Sequence, residues 1–194
     1  PNDFMAQLNL VNFYSENGQI DAAVNTMRRV VSLVPPARPD YARFAEFFNQ
    51  LQILQRDIQT VQQSPNDVNT RRTLAVRWKA RGQAPFAIPE YQAIARLAPN
   101  DYDAHKNLVL LNLQSNHLDD AQRALITAVT LSPDNDKPLW QNVQAAINAH
   151  KANKFDEAVR AAQAAVALAS DADKAALQAY VTLLRVLQER TASK

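Results

Sequence analysis

Three histidines, His105, His117 and His150, are the residues in this 194-residue chain best suited to proton transfer or metal ligation, and each stands alone in the sequence. No His-Glu-x-x-His spacing, Gly-x-Ser-x-Gly elbow, Walker loop or Gly-x-Gly-x-x-Gly fingerprint occurs, and two glycines are too few to build the glycine-rich ones. With no cysteine there is neither a disulfide framework nor a thiolate zinc site. The acidic clusters Asp119/Asp120, Asp156/Glu157 and Asp171/Asp173 fall where helices should begin, where carboxylates complement the helix dipole. The histidines read as structural or solvated groups. The expectation is a chain with no catalytic residues, metal or cofactor, and so no enzyme.

A sharper signal is the basic run Arg71, Arg72, Arg77, Lys79 and Arg81, with no acidic residue between Asp67 and Glu90. Such a face could meet phosphates, anionic lipid heads or an acidic peptide. The plainer reading is a solvated helix whose cations lie toward its C-terminal end, as the dipole favours. Trp78, inside the run, reads as core. The formal net charge of +2 is too small to argue for nucleic acid by itself, since backbone binding needs a concentrated basic face, and nucleic acid is not the expected partner. No run of about 18 apolar residues could span a bilayer, and no basic-then-apolar leader opens the chain. The chain as given reads as soluble. Its start at Pro1 fits a processed protein or a domain of a longer one.

The elements that position these residues are helices. Apolar residues make up 47% of the chain, enough for a continuous core, and scarce glycine starves β-hairpins of their turn residues. Prolines at 35, 65, 99 and 133 punctuate the sequence at intervals of 30, 34 and 34 residues, in SLVPPARPD, QQSPND, RLAPND and TLSPDND. Associated with this period is a helical stripe that opens on alanine: Ala23, Met27, Val30, Leu33; Ala87, Tyr91, Ile94, Leu97; Ala121, Leu125, Ala128, Leu131; and Ala158, Ala162, Ala165, Leu168. The leading alanine permits a neighbouring helix to approach closely. Five residues before each stripe stands Gly18, Gly82, Asn116 or Asn153, residue types that tolerate the left-handed conformation needed to turn one helix into the next.

The segments ENGQIDAAVNTMRRVVSLVP, ARGQAPFAIPEYQAIARLAP, SNHLDDAQRALITAVTLSP and ANKFDEAVRAAQAAVALAS resemble the second helices of tetratricopeptide repeats, with first helices upstream of each. The resemblance implies an all-α solenoid, a right-handed superhelix of antiparallel helix pairs. The expected pairs are Asp3–Glu16 with Ile20–Leu33, Asn69–Ala80 with Phe86–Leu97, Tyr102–Ser115 with Leu118–Leu131, and Leu139–Ala152 with Phe155–Leu168. Three departures qualify it. Pro89 inside a second helix predicts a late start or a kink. The loop around Asp134–Pro138 should be longer. Residues 40–63 carry a pattern at spacings of three and four through Tyr41, Phe44, Phe48, Leu51, Ile58 and Val61, apart from a seven-residue step from Leu51 to Ile58. They hold no glycine, proline or other turn signal, favouring one long helix over a shortened fifth repeat. The organisation is thus a first unit at 1–38, a linking helix at 39–64, three units at 65–170, and a capping helix with a tail fraying from Thr191 at 171–194.

The resemblance also implies a function: the first helix of each unit lines a concave surface that takes peptides or helices. Arg72, Val76, Lys79, Asn107, Leu110, Leu113, Trp140, Val143, Ile147 and His150 are the residues expected to face it, the competing reading being contact with the adjacent unit. Some family members clamp a terminal carboxylate there. Arg72 and Asn107 suit two places in such a clamp, but Val76, Trp140 and Gln144 do not suit the rest. An apolar groove with a basic border points to an aliphatic or amphipathic peptide or a subunit of a larger assembly. The alternatives are an accessory domain of a membrane-bound, for instance polysaccharide-building, enzyme, and an anionic partner held on the Arg71–Arg81 face.

Overall fold

A computed structural model describes residues 4–192, and among these are ten α-helices and no strand. They are α1 (Phe4–Glu16), α2 (Ile20–Leu33), α3 (Tyr41–Gln63), α4 (Val68–Ala80), α5 (Ala84–Leu97), α6 (Tyr102–Gln114), α7 (Leu118–Leu131), α8 (Lys137–Lys151), α9 (Phe155–Leu168) and α10 (Asp171–Ala192). All eight helices of the expected pairs are present, and Asp3, Ser193 and Lys194 lie outside the described residues. Thr191 and Ala192 are helical, extending α10 beyond the expected fraying point. The chain forms two compact units, Pro1–Glu90 and Tyr91–Lys194, with the division inside α5.

All four corners are built alike. Gly18, Gly82, Asn116 and Asn153 adopt φ of 72°, 70°, 59° and 56°. At each, the left-handed residue donates its N–H to the carbonyl three positions back and the next residue donates to the carbonyl five back, as in Gly18 to Ser15 and Gln19 to Tyr14. This is the Schellman arrangement, which satisfies carbonyls that a helix end would otherwise leave unpaired. Aspartates of the Pro-Asn-Asp stops then start the following helix. Asp67 accepts from the Asn69 and Thr70 amides and Asp101 from that of Ala104.

The alanine stripes pack as expected over their first three positions: Ala23, Met27, Val30, Ala87, Tyr91, Ile94, Ala121, Leu125, Ala128, Ala158, Ala162 and Ala165 are all buried. The fourth members depart from expectation, with Leu33, Leu97 and Leu168 exposed at 54%, 41% and 52%. Ten residues turn a helix by about 1000°, which leaves the tenth roughly 80° off the starting face, whereas the eleventh returns to within about 20°. Three of the four eleventh positions, Val34, Ser132 and Ala169, are buried instead, and the fourth, Ala98, is half-buried.

Residues 41–63 form the single helix α3, about 34 Å long at 1.5 Å per residue. Its aromatic half packs on the first helix pair: Phe44 meets Phe4 edge-on at 5.2 Å and Arg28 lies 6.0 Å over Phe48. Leu51 and Leu54 are fully buried. Pro89 does not delay α5, which starts at Ala84. The bond that Pro89 cannot donate would go to the carbonyl of Pro85, an exposed residue where water can serve instead. The loop before α8 is filled by one 3₁₀ turn, Asp134–Asp136, with Pro138 in the first turn of the helix.

In the second unit α10 does more than close the end. It packs on α9 and also lies against α6, two helix pairs back toward the N-terminus. Asp173 of α10, 4% exposed, pairs with Lys106 of α6 at 3.3 Å and accepts from the Ser170 hydroxyl at 2.7 Å. Tyr180 meets the buried His150 of α8, with 3.1 Å between Oη and Nδ1. Leu177, Val181 and Leu184 are buried along the same helix.

Two outcomes test this architecture. A Cβ at Gly18 would lie 2.5 Å from the Phe86 ring, whereas at Gly82 it would meet nothing within 4 Å. Gly82→Ala should therefore cost about 1 kcal/mol for the positive φ alone, and Gly18→Ala about 1–3 kcal/mol more. Chemical denaturation measures both, and adding Phe86→Leu should narrow the difference. For His150, burial lowers the pKa below the ordinary value, so the unfolded chain binds this proton more readily. The sign follows: this contribution to stability is complete above about pH 6.5 and falls as the pH drops below it. Melts between about pH 7.5 and 5 should show this loss, and His150→Gln should flatten it.

Candidate functional site

The residues expected to face a partner divide sharply. Those on α6 and α8 are inside: Asn107, Leu110, Leu113, Trp140, Val143, Ile147 and His150 are exposed by 8% or less. This corrects the expectation of an open apolar surface there. Every residue from Asn107 to Leu113 is buried, because α6 packs against α7 and also against α10. NLVLLNL is apolar on several sides because several sides are covered. Asn107 donates to the Asp103 carbonyl at 2.7 Å and Asn112 to that of Leu108, so the polar members of the run are satisfied within the helix. Trp140 is held as core, donating through Nε1 to the Tyr102 hydroxyl, which donates to Asp136 at 2.6 Å. Burial and that bond to Asp136 push the Tyr102 pKa up.

Nothing in the spacing of the repeats marks α10 as the occupant of this surface. One signal was available: Asp173, read as a dipole-complementing carboxylate, begins a helix with buried positions at Ala176, Leu177, Tyr180, Val181 and Leu184. A terminal helix so broadly apolar has a larger surface to cover than one neighbour supplies.

On α4 the outcome is different. Val76 is 52% exposed and borders a cavity of about 430 Å³ with Arg72, Thr73, Arg77 and Ala80. Leu74, Ala75 and Trp78 form the buried face of the helix, and Trp78 stacks at a tilt on Phe86 with centroids 4.8 Å apart. An aliphatic side chain among cations therefore remains accessible.

The basic run is largely engaged. Arg71 pairs with Glu90 at 2.6 Å and donates to the Pro65 carbonyl. Arg77 pairs with Asp57 of α3. Arg81 donates to the Ser15 hydroxyl at 2.8 Å, and burial, then repulsion from Arg77, lowers its pKa. The acids that balance the run come from outside it, which its local sequence could not reveal. His105 contacts the Pro99 carbonyl at 3.0 Å and His117 is exposed at its corner. Asp119 and Asp171 are held below the usual carboxylate range by Lys151 and Lys174. Among the described residues no three acidic or histidine side chains gather as metal ligands, and no helix is long and apolar enough to cross a membrane.

The tetratricopeptide repeat family model matches residues 6–35, which comprise most of α1 and all of α2 with their corner. A solved tetratricopeptide repeat protein from Parabacteroides merdae ATCC 43184 is 14% identical, with 98% of this chain and 75% of that one covered at a TM-score of 0.49. A thermophilic protein of the same repeat class from Thermus thermophilus is 18% identical, with 95% and 100% covered at 0.41. No curated protein matches. Residues 6–35 thus match a tetratricopeptide repeat, and the same Schellman corner and alanine-led stripe recur in four helix pairs of the chain.

Proposed function

We propose that this chain is a non-catalytic scaffold that binds a protein partner at the α4 surface, where Val76 is the apolar anchor and Arg72 and Lys79 are the flanking cations. The observation that carries this reading is the 52% exposure of Val76 on a cavity of about 430 Å³, while the corresponding surfaces of α6 and α8 are buried. An exposed aliphatic group beside basic residues suits a short aliphatic or amphipathic segment carrying an acidic group, as a peptide or as part of a subunit in a larger assembly. A broad anionic ligand such as a membrane surface is less well served, since Arg71 and Arg77 already hold carboxylates.

A photo-crosslinking residue at Val76, compared with one at Ile126, which is 65% exposed on α7, tests this in cells of the native source. A discrete protein should be captured from position 76 and not from 126. With that protein purified, Val76→Glu should weaken binding at least tenfold, about 1.4 kcal/mol, while leaving the melting temperature unchanged. Equal binding by the variant would place the interface elsewhere.

A further inference from the structure

A second cavity, of about 320 Å³, lies within the first unit and is lined by Asn12, Ser15 and Glu16 at the end of α1, Phe47 of α3, and Arg81 and Gln83 at the corner after α4. Arg81 is its unusual member. The guanidinium lies 6.0 Å over the Phe47 ring, and of its five N–H groups one, on Nη2, is taken by Ser15. Its Nε is buried and has no partner. Among the described residues no carboxylate pairs with it, although its neighbours Arg71 and Arg77 each have one. Burial and the nearby Arg77 both disfavour its charge. A half-buried cation with one buried, unpartnered N–H and no ion-pair partner weakens a fold, and such groups concentrate at functional sites.

We propose that this cavity binds a carboxylate group, with Arg81 as its principal ligand. Guanidinium matches the planar, two-oxygen geometry of a carboxylate, and the side-chain amides of Asn12 and Gln83 supply further donors along the same wall. The Phe47 ring offers an apolar face for the aliphatic stem that carries the carboxylate. Glu16 on the same lining sets the charge limit. It opposes a doubly charged phosphate more strongly than a carboxylate, so the cavity favours one singly charged carboxylate group, whether or not the ligand carries others outside it. The occupant is either the acidic side chain of a peptide or a free small carboxylate. The site is independent of the α4 anchor, because Val76 does not line it.

The test is an NMR titration of the full chain with acetate, succinate and an N-acetylated, amidated tetraglutamate peptide, against sodium chloride and sodium sulfate at matched ionic strength. Saturable shifts should appear at the Asn12 and Gln83 side-chain amides and the Arg81 Nε–H with the carboxylates, and not with chloride or sulfate. Arg81→Gln should lower the affinity at least tenfold, and Glu16→Gln should raise it severalfold by removing the competing charge. If a thermal melt shows Arg81→Gln unfolded, Arg81→Lys and Gln83→Ala replace it, each expected to lose at least threefold. Tighter binding of tetraglutamate than of succinate would assign the site to acidic peptides; succinate binding as tightly or tighter would assign it to free carboxylates. Shifts that merely follow ionic strength, or affinities unchanged by the Arg81 and Glu16 substitutions, would overturn the proposal. Crosslinking at Val76 reads the α4 anchor separately, so failure of either site leaves the other standing.

Discussion

The docking of α10 on α6 governs what the second unit can offer to a partner. A first helix in this repeat must bury one face on its own partner helix, and the NLVLLNL run of α6 is apolar on more faces than that contact can cover. Left in water, the surplus would be a large exposed apolar patch. By turning back from α9, α10 removes it from solvent and adds two polar fixed points, the Lys106–Asp173 pair and the His150–Tyr180 contact. Polar contacts of this kind add little net stability but penalise any shifted register strongly, because slippage would strand a buried carboxylate or ring nitrogen. What reads as a binding surface in the sequence is therefore an internal interface.

The repeat itself depends on a smaller constraint repeated four times. Each corner needs one residue at positive φ, and glycine or asparagine adopts it with little strain. The alanine five residues later then lets the second helix approach closely. Gly18 shows the two requirements meeting, since the ring of Phe86 occupies the space that a side chain there would need. The same local rules recur, and the differences between units lie in what is laid over them: α3 on the first helix pair, α10 on the later ones.

Helix existence, pairing and corner chemistry were legible because they are local, set by spacings within about 35 residues. So was the unbroken α3, through its lack of any turn residue. The stripe endings failed by geometry, a tenth position having been taken where the eleventh returns to the core. The groove failed for a different reason: Leu110 and Leu113 of α6 look the same in sequence whether a partner or a distant helix such as α10 covers them, and Val143 and Ile147 of α8, which packs on α7 and α9, look the same whether a partner or a neighbouring helix does. Val76 kept its exposure because no element of its own unit covers it. Likewise the acidic residue that neutralises Arg77, Asp57, sits 20 positions away on another helix, so the apparent excess of the basic run could not be discounted from the run itself.

The absence of cysteine from the sequence allows a direct comparison of the two surfaces. Single substitutions Leu110→Cys and Val76→Cys, reacted with a neutral maleimide under native conditions, report whether each side chain meets solvent. With α10 docked on α6, the thiol at position 76 should label at the rate of a free thiol. The thiol at position 110 should label at least a hundredfold more slowly, matching that rate only in denaturant. Equal rates in native buffer would contradict the account, showing that the face of α6 is open and that α10 does not fill it.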